Sequence, residues 1–380
     1  MRRWPAALLA LGALALAPGA AQASVAFTSD AGVATAQGEP GENNDMTVRA
    51  GEDGVIFSDT AGIRPQSPDN GCRTLTPNEV TCVGNGGGLL RGEDGDDTLR
   101  DTGAAGGFGA RGGPGDDTIV GGAVAALLYG DDSVERSTDG NDKITGGTQA
   151  KPGVALETPG FDDYIHGGGG NDIIDGREGV DEASGGSGND TVSGGEGDDL
   201  IDSSSVFDEN DVDAPGDAGD DTLAGDGGND QLRADNGRDK ASGGDGDDYL
   251  IGTDIDLGEH DGYADTLNCG PGADRVAPSH TDRVSITCET LRVSMYCTGG
   301  YPCSVKGTLT GRAKGAKKAT TIAKLSRSLD SPQPVDLKLS KKAATKVLGS
   351  AKRVSVFAEV IGRHGKKVVS LSLANFHLTK

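Results

Sequence analysis

The chain has 380 residues, 64 of them Gly, with one Trp, seven Phe and six Tyr. That composition excludes an aromatic-rich hydrophobic core of ordinary size, so something besides apolar burial has to hold the fold together. With a net charge of −24, nucleic acid is not an expected partner.

The chain opens MRRWPAALLALGALALAPGAAQAS. Arg2 and Arg3 precede an apolar run from Ala6 to Ala17, and Ala21-Gln22-Ala23 supplies a small-x-small cleavage site, so residues 1–23 are expected to be a secretory signal peptide. The run falls short of the ~20 apolar residues that span a bilayer, and no later stretch is apolar enough. The mature chain is therefore expected to be soluble, exported and without a membrane span.

Residues 24–90 carry apolar runs such as Val55-Ile56-Phe57 and a close pair of cysteines, Cys72 and Cys82. The stretch GENNDMTV reads either as a decayed copy of the repeat described next, with Asp45 in its acidic position, or as a polar turn before a strand. Residues 24–290 hold 15 Lys and Arg against 56 acids, a net of −41.

Within that acidic region, residues 167–202 divide without a gap into GGGGNDIID, GREGVDEAS, GGSGNDTVS and GGEGDDLID. The same frame fits residues 216–251 as GDAGDDTLA, GDGGNDQLR, ADNGRDKAS and GGDGDDYLI. In all eight units the fourth residue is Gly, the sixth is Asp and the eighth is apolar: Ile174, Ala183, Val192, Ile201, Leu223, Leu232, Ala241 and Leu250. A disordered, composition-biased segment has no reason to keep that phase.

The Gly-rich first six residues of a unit can turn tightly through positive φ. The last three make a short strand with one inward side chain. One unit buries almost nothing alone, but a stack of them buries a thin apolar ladder, which predicts a solenoid. Stacked carboxylates with backbone carbonyls beside them form an all-oxygen environment, suited to Ca²⁺ before Mg²⁺ or Zn²⁺. Without a cation such carboxylates repel one another, so metal binding and folding are expected to be one event. Zinc is the competing reading of the cysteines, but no CxxC occurs and the five His are scattered.

The motif GGxGxDxUx, with U a large apolar residue, resembles the RTX or hemolysin-type calcium-binding repeat. The resemblance implies an all-β fold, a parallel β-roll with two nonamers per coil and Ca²⁺ held between units 18 residues apart. Carried over, it pairs Asp172 with Asp190, Asp181 with Asp199, Asp221 with Asp239 and Asp230 with Asp248. It takes further ligands from the Gly turns around Gly167 and Gly170, Gly185 and Gly188, Gly194 and Gly197, and Gly243 and Gly246. Weaker copies add Asp97, Asp117, Asp142 and Asp163 upstream and Asp274 downstream. Arg177, Ala234 and Asp235 replace glycines, and GGAVAALLY (121–129) has Ala126 where Asp belongs, so that unit is expected to stack without a metal. The inserts at 148–157, 203–215 and 252–262 read as loops leaving the roll, and residues 24–90 as its N-terminal β cap. The resemblance extends to the repeats alone and does not carry toxin activity with it.

Cys269 and Cys288 are 19 residues apart, close to one coil, whose rise of about 4.8 Å suits a disulfide. Cys297 and Cys303 form the third near pair, and in an exported chain all three are expected as disulfides. From residue 291 the period changes. Residues 291–380 hold 18 Lys and Arg against three acids, a net of +15. Short alternating runs predict a small antiparallel β-sandwich of immunoglobulin-like kind, with 340–351 the one helical candidate. That charge suits an anionic cell-wall or extracellular polymer, docking on the acidic roll, or plain solvation. No HExxH and no GxSxG occurs, and no region has the composition of a catalytic α/β domain, so the chain is read as non-enzymatic, an unrecognised site in an insert being the alternative.

Overall fold

The computed structural model describes residues 23–29, 32–67, 69–84, 87–104, 106–124, 126–131, 139–148, 162–204, 219–252, 263–279, 281–293, 303–313, 316–329, 335–364 and 367–380. Most of the three inserts, the expected signal peptide and Cys297 fall outside them.

Each nonamer contributes one short strand, and successive strands alternate between two faces. On the first face Tyr164–Gly169, Glu182–Ser187, Leu200–Asp202, Gln231–Arg233 and Tyr249–Ile251 pair in parallel order. On the second, Ile173–Glu178, Thr191–Glu196, Thr222–Gly227 and Lys240–Asp245 do the same. This is an all-β parallel roll. Tyr164 lies opposite Glu182 and Ile173 opposite Thr191, a step of 18 residues. Where the 203–215 insert intervenes, Thr191 lies opposite Thr222, so the extra residues leave the strand phase unchanged.

The inward residue of each strand is the apolar one at position eight. Ile174, Ala183, Val192, Ile201, Leu223, Leu232, Ala241 and Leu250 are all buried between the faces. One small side chain per strand from each face is a thin core, too thin to bear unmatched charge at its margins.

Backbone stacking at the turns is correspondingly tight. Gly188 has φ 126°, and a Cβ there would collide with the carbonyl oxygen of Gly170 one coil away. Gly188→Ala is therefore expected to destabilise the calcium-loaded chain by about 1–3 kcal/mol, read as a lower urea midpoint; an unchanged midpoint would show that the turn has room to spare. Position two tolerates more, since Arg177 (φ 79°) and Asp226 (φ 68°) replace glycine there.

Parallel stacking begins at Ala34–Gln37 on the first face and Asp45–Ala50 on the second. Beyond it the second face continues through antiparallel Gly54–Asp59, Glu79–Val83 and Cys72–Thr76, the last two joined by the Cys72–Cys82 disulfide. At the other end, Cys269 and Cys288 are bonded with Cα atoms 5.0 Å apart.

The C-terminal strands grow out of both faces. Val335–Lys338 adds antiparallel to Thr290–Val293, and Lys367–Thr379 adds parallel to Arg283–Ser285. Arg353–His364, Cys303–Gly311 and Thr320–Leu329 then follow in antiparallel order. The helix Lys341–Leu348, N-capped by Ser340, buries Ala344, Val347 and Leu348. These strands cover what would otherwise be two open sheet edges. An immunoglobulin-like sandwich is one description of them, and nothing in their pairing order singles it out.

Candidate metal centre

The position-six carboxylates line the two turns that connect the faces. Most of these carboxylates fold back beneath the first glycine of their own unit: a Cβ on Gly167 would strike Asp172 Oδ2, one on Gly194 would strike Asp199 Oδ2, and one on Gly243 would strike Asp248 Oδ2; Ala234 and Cys269 hold that position in the units of Asp239 and Asp274.

One oxygen of each carboxylate is spent on the backbone. Oδ1 accepts the N–H of the position-six residue one coil earlier. Along the turn into the second face, Asp97 donates to Asp117, Asp117 to Asp142, Asp142 to Asp172, Asp172 to Asp190, Asp190 to Asp221 and Asp221 to Asp239, at 2.7–2.8 Å. Along the other turn Asp163 donates to Asp181, Asp181 to Asp199, Asp199 to Asp230, Asp230 to Asp248 and Asp248 to Asp274, at 2.8–3.1 Å. All four pairs implied by the resemblance are brought together in this way.

The other oxygen decides the chemistry. Oδ2 of Asp97, Asp117, Asp142, Asp172, Asp181, Asp199, Asp230, Asp248 and Asp274 is buried without a hydrogen-bond partner. Around it lie more acceptors: a Cβ on Gly167 would meet the Gly185 carbonyl as well as Asp172, and one on Gly225 would meet the Gly243 carbonyl as well as Asp230. Acceptors facing acceptors in a buried site are unfavourable unless a cation sits among them. No three His, Cys, Asp or Glu side chains converge among the described residues. Backbone carbonyls must therefore supply much of any ligand shell, which fits calcium and excludes a zinc-type donor set here. The glycines divide the work: Gly167, Gly185, Gly194 and Gly243 floor the cradles, while Gly170, Gly188, Gly197 and Gly246 hold the turns at positive φ.

Burial raises these acids far above the ordinary carboxylate range, and neighbouring carboxylates add to it, while the accepted N–H groups pull the other way. Asp117, Asp172 and Asp181 are pushed up to about 9. Asp142, Asp221, Asp230 and Asp274 reach about 7, and Asp97, Asp163 and Asp199 about 6.

Two sequence expectations change. Asp45 is not in the ladder: Asn44, 2 % exposed, holds position six and donates its N–H to Asp97 Oδ1 at 2.6 Å, while Asp45 faces outward and pairs with Arg100. The missing position-four glycine, replaced by Glu42, hid the frame. Asp163 does stand in its ladder, but both its oxygens are used, one by Ala126 N–H and one by Gly147 N–H. Ala126 thus occupies the Asp position of its unit and is capped from the next coil.

The sequence reading missed three ladder members. Asp239 donates to Asp265, Asp265 to Asp282 and Asp274 to Glu289. Their units lack glycine at position four; only the apolar residue two places on (Leu267, Val284, Leu291) marks them. It also missed an outer ladder at position five, where Asn171 N–H donates to Asn141 Oδ1 and Asn189 N–H to Asn171 Oδ1, each at 2.9 Å.

Comparison with known families points the same way. The RTX calcium-binding nonapeptide repeat matches in four copies, over residues 110–125, 160–183, 175–208 and 215–254. The chain carries RTX-type calcium-binding repeats. No curated protein and no solved structure matches it. The RTX ladder runs beyond the matched segments in both directions, to Asp97 upstream and to Asp265, Asp274 and Asp282 downstream.

Proposed function

We propose that this RTX protein is a secreted, structural, non-catalytic protein whose acidic roll folds as it takes up several Ca²⁺ ions outside the cell. The observation that carries this reading is the row of buried, partnerless Oδ2 atoms set against backbone carbonyls. Each residue there is half of an interaction, and the cation is the other half. Inside a cell, at low calcium, the same rows of buried charge oppose folding. At the calcium concentrations outside cells, sites of this extracellular type, with dissociation constants of about 10⁻⁴–10⁻³ M, fill. The Arg-Arg leader with its apolar run and the two disulfides support export. Among the described residues no helix is long and apolar enough to cross a membrane.

Calorimetric titration of the chelator-treated mature chain tests it. Uptake of several calcium ions in that concentration range is expected, and absence of uptake overturns the proposal.

A second reading assigns the roll a spacer role and gives the C-terminal strands an anionic cell-wall or extracellular polymer to hold. It is favoured by the exposure of Lys306, Lys324, Arg327, Lys342, Lys346 and Lys352. Arg292 and Lys341 of that region pair with Asp336 and Glu289. Retention of the calcium-loaded chain on anionic wall polymer at low salt, lost at high salt, is the expected result for this role; no retention at either leaves the plain structural one.

A further inference from the structure

Both carboxylate ladders end, and at each end a donor of the chain itself replaces the acceptor-facing-acceptor arrangement of the interior. Asn44 opens the ladder on the turn into the second face. Its side chain sits against Gly38, the first glycine of its own unit, as Asp97 sits against Gly92 and Asp117 against Gly112. The atom in the place of their partnerless Oδ2 is Nδ2, a donor. It reaches Glu42 O at 2.9 Å, Gly92 O at 3.3 Å and Asp97 Oδ1 at 2.9 Å. Three oxygens thus surround one –NH₂ group in a cradle that, one coil on, presents a carboxylate oxygen to the same kind of carbonyl.

The other three ends differ in detail and agree in kind. Asp163 opens the second ladder and accepts Gly147 N–H on Oδ2 at 2.5 Å. Asp282 closes the first, accepting Ser279 N–H at 2.6 Å and Ser279 O–H at 2.7 Å. Glu289 closes the second and pairs with the ammonium of Lys341, in the first turn of the C-terminal helix.

We propose that these internal donors plug the ladder ends, with Asn44 Nδ2 and Lys341 Nζ standing where a cation would otherwise be needed, so that calcium uptake is confined to the interior coils and the terminal coils fold without it. The proposal rests on the calcium reading above. Its physical basis is that an N–H or N⁺–H donor set against these oxygens satisfies them at no cost in free calcium, the Asn44 amide from a buried position and the Lys341 ammonium from the exposed surface. Asp163 stands inside the roll, the strand after it pairing with Ala126–Tyr129, while the coils plugged at Asn44, Asp282 and Glu289 lie toward the two disulfides, Cys72–Cys82 and Cys269–Cys288. They form ready-made templates on which the calcium-dependent interior stacks from either side.

Asn44→Asp tests this on the mature chain, because it exchanges the donor for a carboxylate of nearly the same shape. Calcium bound at saturation, measured by equilibrium dialysis, is expected to rise by one ion over wild type. In chelator, amide exchange of strands Asp45–Ala50 and Thr98–Asp101 is expected to be protected in wild type and to speed up at least tenfold in the variant, recovering in calcium. Asn44→Ala, which removes the donor without adding charge, is expected to lose the chelator protection without gaining an ion, and serves if Asn44→Asp does not fold. Lys341→Met is expected to do the same to Thr290–Val293. A wild-type ion count in Asn44→Asp, or unchanged protection in chelator for the Asn44 variants, overturns the plug. Failure of wild type to bind calcium at all overturns the calcium reading and the plug with it, so the two failures are distinct.

Discussion

Asp172→Asn and Asp181→Asn are expected to shift stability in opposite directions in the two states of the roll. In calcium, each loses an anionic ligand oxygen from the middle of a ladder, and breaking a buried charge interaction by removing one partner costs about 3–5 kcal/mol. In chelator the same change removes a buried, partnerless Oδ2 that lies among acceptors and puts an amide donor there. Asn44 shows that this cradle accepts an amide and that its nitrogen finds carbonyl oxygens. The substitution is therefore expected to raise the stability of the metal-free roll while lowering that of the loaded one. Asp175→Asn, on the exposed side of the same coil as Asp172, is the control, expected to stay within about 0.5 kcal/mol in both conditions. Urea melts followed by far-UV circular dichroism, run with calcium and with chelator, read both signs. Destabilisation in both conditions would mean that the carboxylates serve the fold as hydrogen-bond acceptors and nothing more.

The metal-free roll is also expected to fold on acidification and to come apart as pH rises. An unfolded Asp titrates near about 3.9. In the folded chain burial holds Asp97, Asp163 and Asp199 at about 6, Asp142, Asp221, Asp230 and Asp274 at about 7, and Asp117, Asp172 and Asp181 at about 9. The folded carboxyls therefore keep protons that the unfolded chain has released. Their contribution to stability is fully present below the unfolded value near 4, declines as pH rises above it and is lost as pH passes the folded values, between about 6 and about 9. Calcium reverses the sign, because the ion needs the carboxylate and acid displaces it. Circular dichroism in chelator is expected to show more strand at pH 4.5 than at pH 8.5, with the opposite order at limiting calcium. Equal strand content at both pH values in chelator would contradict the burial of charge on which the account depends.

The roll was legible because its rule is local. Gly at four, Asp at six and an apolar residue at eight recur within nine residues, and the 18-residue step places Asp172 on Asp190 with no further information. What escaped was set by contacts between distant residues. The choice of Asn44 over Asp45 depends on which side chain faces Asp97, 53 residues away from Asn44. Whether Asp163 has a spare oxygen depends on Gly147, which an insert separates from it. Asp265, Asp282 and Glu289 were hidden because Tyr263, His280 and Thr287 stand where the turn glycine was sought. The C-terminal strands were legible as alternating runs, but not their growth out of the two roll faces, because alternation says which side of a strand is buried and nothing about its neighbour.

Small-angle X-ray scattering of the mature, oxidised chain at neutral pH, in millimolar calcium and then in excess chelator, tests the central claim most directly. A compact chain of this length has a radius of gyration near about 20 Å and a fully unfolded one near about 70 Å. Coupled folding and calcium binding requires a value close to the compact limit in calcium, and in chelator a clear rise toward the unfolded limit that reverses when calcium is restored. The same scattering curve in both solutions would contradict it.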